Sequence, residues 1–301
     1  MRPVKSYIAK RFQNSDAGLS LDTDALARYS DIIDLSIGDT DFITDDAIID
    51  TAFREAKAGY THYGDPKGDP ELIEAICQAW KEDFNQDVSP AEVLVTTSSC
   101  MGMSQALLAL LNPGDEVLVP SPDYPLWTAC VNLAGGTAVH YICDEGSEWY
   151  PDIDDIRSKI TDKTKAIVII NPNNPTGALY PKELLQQIVD IAREHQLIIF
   201  SDEIYDRLVM DGLEHISIAS LAPDLFCVTF SGLSKSHMIA GYRIGWMILS
   251  GNKRIAKDYI EGLNMLANMR MCSNVPAQSV VQTALGGHQS VKDYIKPGGR
   301  V

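Results

Sequence analysis

Ser231-Gly-Leu-Ser-Lys-Ser-His-Met-Ile-Ala-Gly-Tyr-Arg243 lies between two apolar runs of strand length, Leu225–Phe230 and Ile244–Ser250. Lys235 stands in a Gly/Ser loop directly after the first run, and Arg243 follows eight residues later. A lysine so placed suits Schiff-base chemistry beside an anchored phosphate. A lysine that serves only solubility sits more often on a charged helix face. An exposed lysine after a buried strand fits the same loop, so its reading depends on two further segments.

In Ile169-Ile-Asn-Pro-Asn-Asn-Pro-Thr-Gly177 an apolar strand, Ala166–Ile170, enters a loop whose two prolines oppose both sheet and helix. Asn173 and Asn174 are held between them and present amides rather than charges; a rigid turn before the next helix is the plainer alternative. In Leu197-Ile-Ile-Phe-Ser-Asp-Glu-Ile-Tyr205, Asp202 sits at the tip of a buried strand and Tyr205 three residues beyond. A carboxylate there is costly without a positive partner, which points to a ligand cation, and a helix N-cap is the alternative. Asn174, Asp202, Tyr205, Lys235 and Arg243 are all read at or just after strand C-termini of an alternating β/α pattern. Open α/β sheets place their ligand crevice there.

These three segments, in this order, resemble the class I/II aminotransferases, which are pyridoxal-5′-phosphate (PLP) enzymes of fold type I. The resemblance covers nearly the whole chain. Three runs, Ser121-Pro-Asp-Tyr-Pro-Leu-Trp127, Asn171–Gly177 and Asn274-Val-Pro-Ala-Gln278, most resemble bacterial alanine (glutamate–pyruvate) aminotransferases. The resemblance implies that Lys235 forms the Schiff base and moves the proton, and that Asp202 pairs with the pyridine nitrogen. It places Tyr205 and Asn174 at the cofactor's phenolic oxygen, Asn174 and Gly38 beside the substrate, and Tyr124 against the ring. Arg243, Ser234 and the backbone of Ser98, Ser99 and Cys100 are expected to hold the phosphate. A serine-capped helix start without a ligand is the alternative reading of Ser98–Cys100. Relatives often carry glycine where this chain has Ser98, and serine where it has Gly232. Tyr63 resembles a tyrosine that reaches the phosphate of a neighbouring subunit, which implies a homodimer. The expected reaction is transamination between an L-amino acid, alanine or glutamate, and a 2-oxo acid. A C–S lyase of the same fold and a catalytically silent PLP-binding chain are the alternatives.

Composition fits a globular protein: 301 residues, 45% hydrophobic and 22% charged. A formal charge of −16 disfavours nucleic acid and anionic membranes as partners. The six cysteines are scattered without a CxxC pair, so neither a metal site nor a disulfide framework is expected. His237 is read as a loop residue rather than a catalyst. The N-terminus lacks a signal-peptide core and no apolar run is long enough to span a bilayer, so the expected location is cytoplasmic.

The expected fold is α/β: a mostly parallel seven-stranded sheet with helices on both faces and an incomplete small domain. Residues 1–45 are expected to form an arm and part of the small domain, with Ile32–Ile37 as a strand. Residues 46–290 would be the large cofactor domain and 291–301 the start of a truncated C-terminal small domain. Family members continue for roughly another 100 residues, about a domain's worth, including the arginine that clamps the substrate α-carboxylate. Strands are expected at Val93–Thr96, Glu116–Val119, Ala138–Ile142, Ala166–Ile170, Ile198–Ser201, Leu225–Phe230 and Ile244–Ser250. The clearest helix is Pro181–His195, with Leu184, Leu185, Ile188, Ile191 and Ala192 at helical spacing. Val275–Leu285 reads as one helix.

Overall fold

Apolar strands that alternate with amphipathic helices must bury both sheet faces, and the sheet is the frame of this molecule. A computed structural model describes residues 37–299, together with Phe12, Arg28 and Asp31. Most of the expected arm and of the Ile32–Ile37 strand lies outside these residues. Between residues 37 and 85 lie two helices, α1 (Asp46–Ala58) and α2 (Pro70–Phe84). Asp45 and Asp69 cap them by accepting first-turn amides, and Gly59 closes α1 at φ 107°.

Seven strands follow in the sheet: β1 (Val93–Thr97), β2 (Glu116–Ser121), β3 (Thr137–Asp144), β5 (Thr164–Ile170), β6 (Ile198–Asp202), β7 (Phe226–Gly232) and β8 (Ile244–Gly251). A two-residue β4 (Tyr150–Pro151) pairs with the end of β3, giving the order β1-β8-β7-β6-β5-β2-β3-β4. Pairing is parallel from β3 through β2, β5 and β6 to β7, whereas β8 runs antiparallel to both β7 and β1. The seven expected strands are therefore present and mostly parallel, within two residues of their expected bounds, but the short β4 makes the sheet eight-stranded rather than seven.

Helices cover both faces. One face packs α3 (Ser99–Leu110), α4 (Leu126–Leu133) and the later α7 (Lys257–Arg270) over Leu94, Val119, Val168, Phe200, Phe230 and Met247. The other packs α5 (Ile153–Lys159) and α6 (Lys182–Glu194) over Leu118, Ile167, Ile169 and Ile199. On that second face, β1 and β8 are covered by α1, α2, α8 (Val275–Gln278) and α9 (Val281–Gly286). A short α10 (Ser290–Ile295) follows. Leu184, Leu185, Ile188, Ile191 and Ala192 are all buried, as the spacing predicts.

One helix differs from expectation: Val275–Leu285 is two short helices rather than one. The Ser279 hydroxyl donates to the Pro276 carbonyl at 2.8 Å, and such side-chain bonds compete with a continuous helical ladder. The structure also adds α5, whose apolar residues Ile153 and Ile156 are too few to register as a period; Asp152 starts it by accepting the amides of Asp154 and Asp155.

Candidate active site

The C-terminal ends of β1, β5, β6 and β7 lie along one edge of the sheet, and the candidate residues gather there. Arg243 requires a correction: it follows no strand C-terminus but precedes β8. Because β8 is the antiparallel strand, its start lies at the same edge. Thr97 pairs with Ile244, so the next residues outward are Ser98 and Arg243.

Asp202 ends β6 and is 2% exposed. Its Oδ2 accepts the Trp127 indole N–H at 3.1 Å, and Oδ1 accepts the Ile204 amide at 3.4 Å. Burial raises its pKa to about 6, moderated by these two bonds and reinforced by Glu203. Among the described residues, the groups acting on it include no cation. Trp127 was a missed residue; it lies within the Ser121–Trp127 run, but only folding brings α4 to the β6 tip.

Lys235, three residues past β7, donates from Nζ to the Gly38 carbonyl. A Cβ built on Gly38 would lie 3.7 Å from Lys235 Nζ and 3.8 Å from the Tyr205 hydroxyl. Gly38, Lys235 and Tyr205 therefore converge. The Tyr205 pKa is raised by burial and by Asp202. The Tyr124 hydroxyl lies 3.8 Å from Cys100 Sγ, and burial, then the fields of Cys100, Asp202 and Tyr205, raise its pKa. These couplings join Asp202, Tyr205, Tyr124 and Cys100 in one cluster.

Ser98 precedes α3 with φ 74° and ψ 159°, a region that residues other than glycine adopt only under strain. Its hydroxyl does not cap the helix, which leaves the first amides of α3, at Ser99 and Cys100, as donors without helical partners. Gly245 permits this arrangement: a Cβ there would overlap the Ser99 amide nitrogen and stand 2.5 Å from the Ser98 carbonyl carbon. Gly245 was also missed, since an isolated glycine in a strand carries no label for what it approaches. Arg243 is exposed and donates to the Ala240 carbonyl at 2.7 Å. Ser234 is half-buried beside Lys235.

The asparagines divide their work. Asn171 Oδ1 accepts the Tyr180 amide at 2.9 Å, and Asn173 binds Thr176 and Tyr180, so both hold the loop. Asn174 is half-buried, and among the described residues its side chain has no hydrogen-bond partner. Tyr63 is 82% exposed and bonded to none of the cluster. His237 is structural: its nitrogens meet the Ser236 hydroxyl at 2.8 Å and the Ala284 carbonyl at 2.9 Å, and burial lowers its pKa to about 4. All six cysteines are free thiols, and no described helix is long and apolar enough to cross a membrane.

Comparison with known proteins matches residues 30–297 to the family described as Aminotransferase class I and II. The chain belongs to this family. It is 59% identical over 239 residues to glutamate-pyruvate aminotransferase AlaA of Escherichia coli (strain K12), covering 79% of this chain and 59% of that protein. It is 60% identical over 199 residues to alanine aminotransferase of Mycobacterium tuberculosis (strain ATCC 25618 / H37Rv), covering 66% of this chain and 46% of that protein. A crystal structure of an aminotransferase from Escherichia coli superposes with a TM-score of 0.93 at 49% identity, over 99% of this chain and 75% of that one. Alanine aminotransferase from Pyrococcus furiosus gives 0.90 at 38% identity, over 96% and 75%. The fold is that of these aminotransferases, an α/β fold of type I. The chain thus spans 59% and 46% of the length of these two curated relatives.

Proposed function

We propose that this chain catalyses PLP-dependent transamination between an L-amino acid, alanine or glutamate, and a 2-oxo acid, pyruvate or 2-oxoglutarate. The observation that carries the reading is Asp202: a buried carboxylate with no cation beside it among the described residues, sharing a cluster with Tyr205, whose hydroxyl converges with Lys235 at Gly38. The donor set fits PLP, whose pyridinium would supply the missing cation and whose phosphate suits the free amides of α3 with Arg243 alongside. The names of the relatives supply the substrate class.

When bound, PLP supplies an aldehyde for Schiff-base formation and a ring that draws in electrons. Asp202 would hold the ring N–H and keep it charged, because an adjacent anion favours the cationic form. Tyr205 and Asn174 would donate to the phenolic oxygen, Tyr124 would lie by the ring, and Ser98–Cys100, Ser234 and Arg243 would hold the phosphate. Lys235 Nζ would take the proton from the substrate Cα and return it on the cofactor side, as base and then acid. Gly38, bonded to Lys235 and bare of side chain near Tyr205, would leave room for the substrate. The exposed Tyr63 is assigned to a partner's site, which makes the working unit a homodimer. Residues 46–290 are assigned as the cofactor domain.

The test is an absorbance spectrum of the chain with PLP, before and after L-alanine, with Lys235→Ala beside it. A visible band that needs Lys235 and is lost as pyruvate forms supports the reading. Pyruvate and ammonia from cystathionine, without amino transfer from alanine, would replace it with the lyase. A band indifferent to Lys235 would end it.

A further inference from the structure

Asp202 has a counterpart on the reverse of the sheet that the reading above does not use. Side chains alternate along a strand, so Phe200 and Asp202 face α3 and α4, while Ile199, Ser201 and Glu203 face the α6 side. Glu203 is wholly buried. Its Oε1 accepts from the Ser201 hydroxyl at 2.7 Å, the Ser217 hydroxyl at 3.1 Å and the Ile218 amide at 3.3 Å. Its Oε2 lies 3.0 Å from Nε2 of His215, whose side chain is 3% exposed. Burial alone would lower the His215 pKa, but the Glu203 carboxylate, its hydrogen bond and Asp206 together raise it above the ordinary value. Asp206, half-buried and raised to about 6 chiefly by desolvation, feels His215, Arg207, Glu203 and Asp83. Arg207 in turn bonds Asp83 of α2 and Gln289, and the Phe84 ring meets His215 edge-on at 5.5 Å.

A buried ion pair is a weak source of stability, because desolvation offsets most of its attraction. Its geometry does more. Three donors fix one Glu203 oxygen and His215 holds the other, so the backbone at 203 has a single setting. That backbone carries Asp202 on one side and leads to Tyr205 on the other. We propose that Glu203 and His215 are positioning residues for Asp202: they fasten the reverse of the β6 tip, so that the Asp202 carboxylate keeps one orientation for the cofactor ring nitrogen. The proposal rests on the reading of Asp202 given above.

The test compares two probes by fluorescence titration of the cofactor-free chain: PLP, and its 1-deaza analogue, in which the ring nitrogen is a carbon. Only PLP can use a well-aimed Asp202. Glu203→Leu is expected to weaken PLP about tenfold, the usual scale for residues that orient a ligand-holding group, while the deaza analogue changes less than about twofold. Glu203→Gln keeps the acceptor for Ser201, Ser217 and Ile218 and should restore PLP binding to within about threefold of the parent. If Glu203→Leu does not fold, His215→Gln and the milder Ser217→Ala carry the same comparison, with the same selective loss expected. Parallel weakening of both probes, or no change in either, overturns the positioning role. A parent chain that binds both probes equally overturns the reading of Asp202 itself, and the proposal with it.

Discussion

A carboxylate that is 2% exposed, with one indole N–H and one amide as its donors, is poorly solvated for a full charge. Its pKa of about 6, against an ordinary 3.8, costs the ionised folded chain on the order of 3 kcal/mol. The sign follows from which state holds the proton. Between pH 4 and 6 the folded chain binds it more tightly than the unfolded one, so this contribution favours folding below pH 4 and is lost as pH rises to 6. Asp202→Asn keeps an oxygen for Trp127 and removes the charge. The cofactor-free variant is expected to be more stable than the parent at pH 7.5, by up to about 3 kcal/mol, with the difference vanishing near pH 4. It should also bind PLP more weakly. Urea titrations at the two pH values measure this, and an equal or lower stability at pH 7.5 contradicts it. Asp202 was legible in the sequence as a costly carboxylate at a strand tip; its donor Trp127, 75 residues away, was not.

At the scale of elements, the junction of β1, β8 and α3 decides whether the proposed phosphate cradle exists. β8 crosses close beneath the start of α3, and Gly232, Gly245 and the strained Ser98 meet there. A Cβ on Gly232 would lie 2.6 Å from the Ile244 carbonyl oxygen, so neither glycine has room for a side chain. Gly245→Ala must push the Ser99 amide outward and turn the first donors of α3 away from Arg243. The expected outcome is at least a tenfold loss of PLP affinity, about 1.4 kcal/mol, alongside a stability loss of about 1–3 kcal/mol from overpacking. Equilibrium dialysis with PLP reads the first and thermal unfolding the second; unchanged affinity would show that the α3 amides do not hold the phosphate. Strand and helix bounds here were legible from apolar runs. The antiparallel sense of β8 was not, because its run Ile244–Ser250 reads the same in either direction, and that sense is what brings Arg243 to Ser98.

For the whole molecule the dominant long-range term is charge. A net −16 repels itself in the compact state, while the exposed ion pairs Arg157–Glu194 and Arg193–Asp224 contribute little and are themselves screened by salt. Repulsion summed over the chain is the larger effect. Raising sodium chloride from about 0.02 M to about 0.3 M shortens the screening length below 10 Å. The Tm of the cofactor-free chain is expected to rise by about 2–4 °C, the equivalent of ~1 kcal/mol. Chloride is preferable to phosphate, which would enter the proposed cradle. A fall in Tm would mean that the ion pairs outweigh the repulsion.

Short-range chemistry was within the reach of the sequence. Apolar runs and periods set the strands and α6, because each element must bury its own face. Lys235, Asp202 and Asn174 stood out in the sequence as candidates because unusual residue types fell at strand ends, in motifs only a few residues long. Helix breaks were harder: the division of Val275–Leu285 turned on a serine hydroxyl whose competing bond no periodicity records. Only the tertiary structure decided which distant groups meet. It brought Trp127 to Asp202, Gly245 to Ser99, Gly38 to Lys235, and Glu203 to His215 behind them. Such contacts depend on strand order and direction, which apolar patterning leaves open, since a strand buries the same face whichever neighbour it takes.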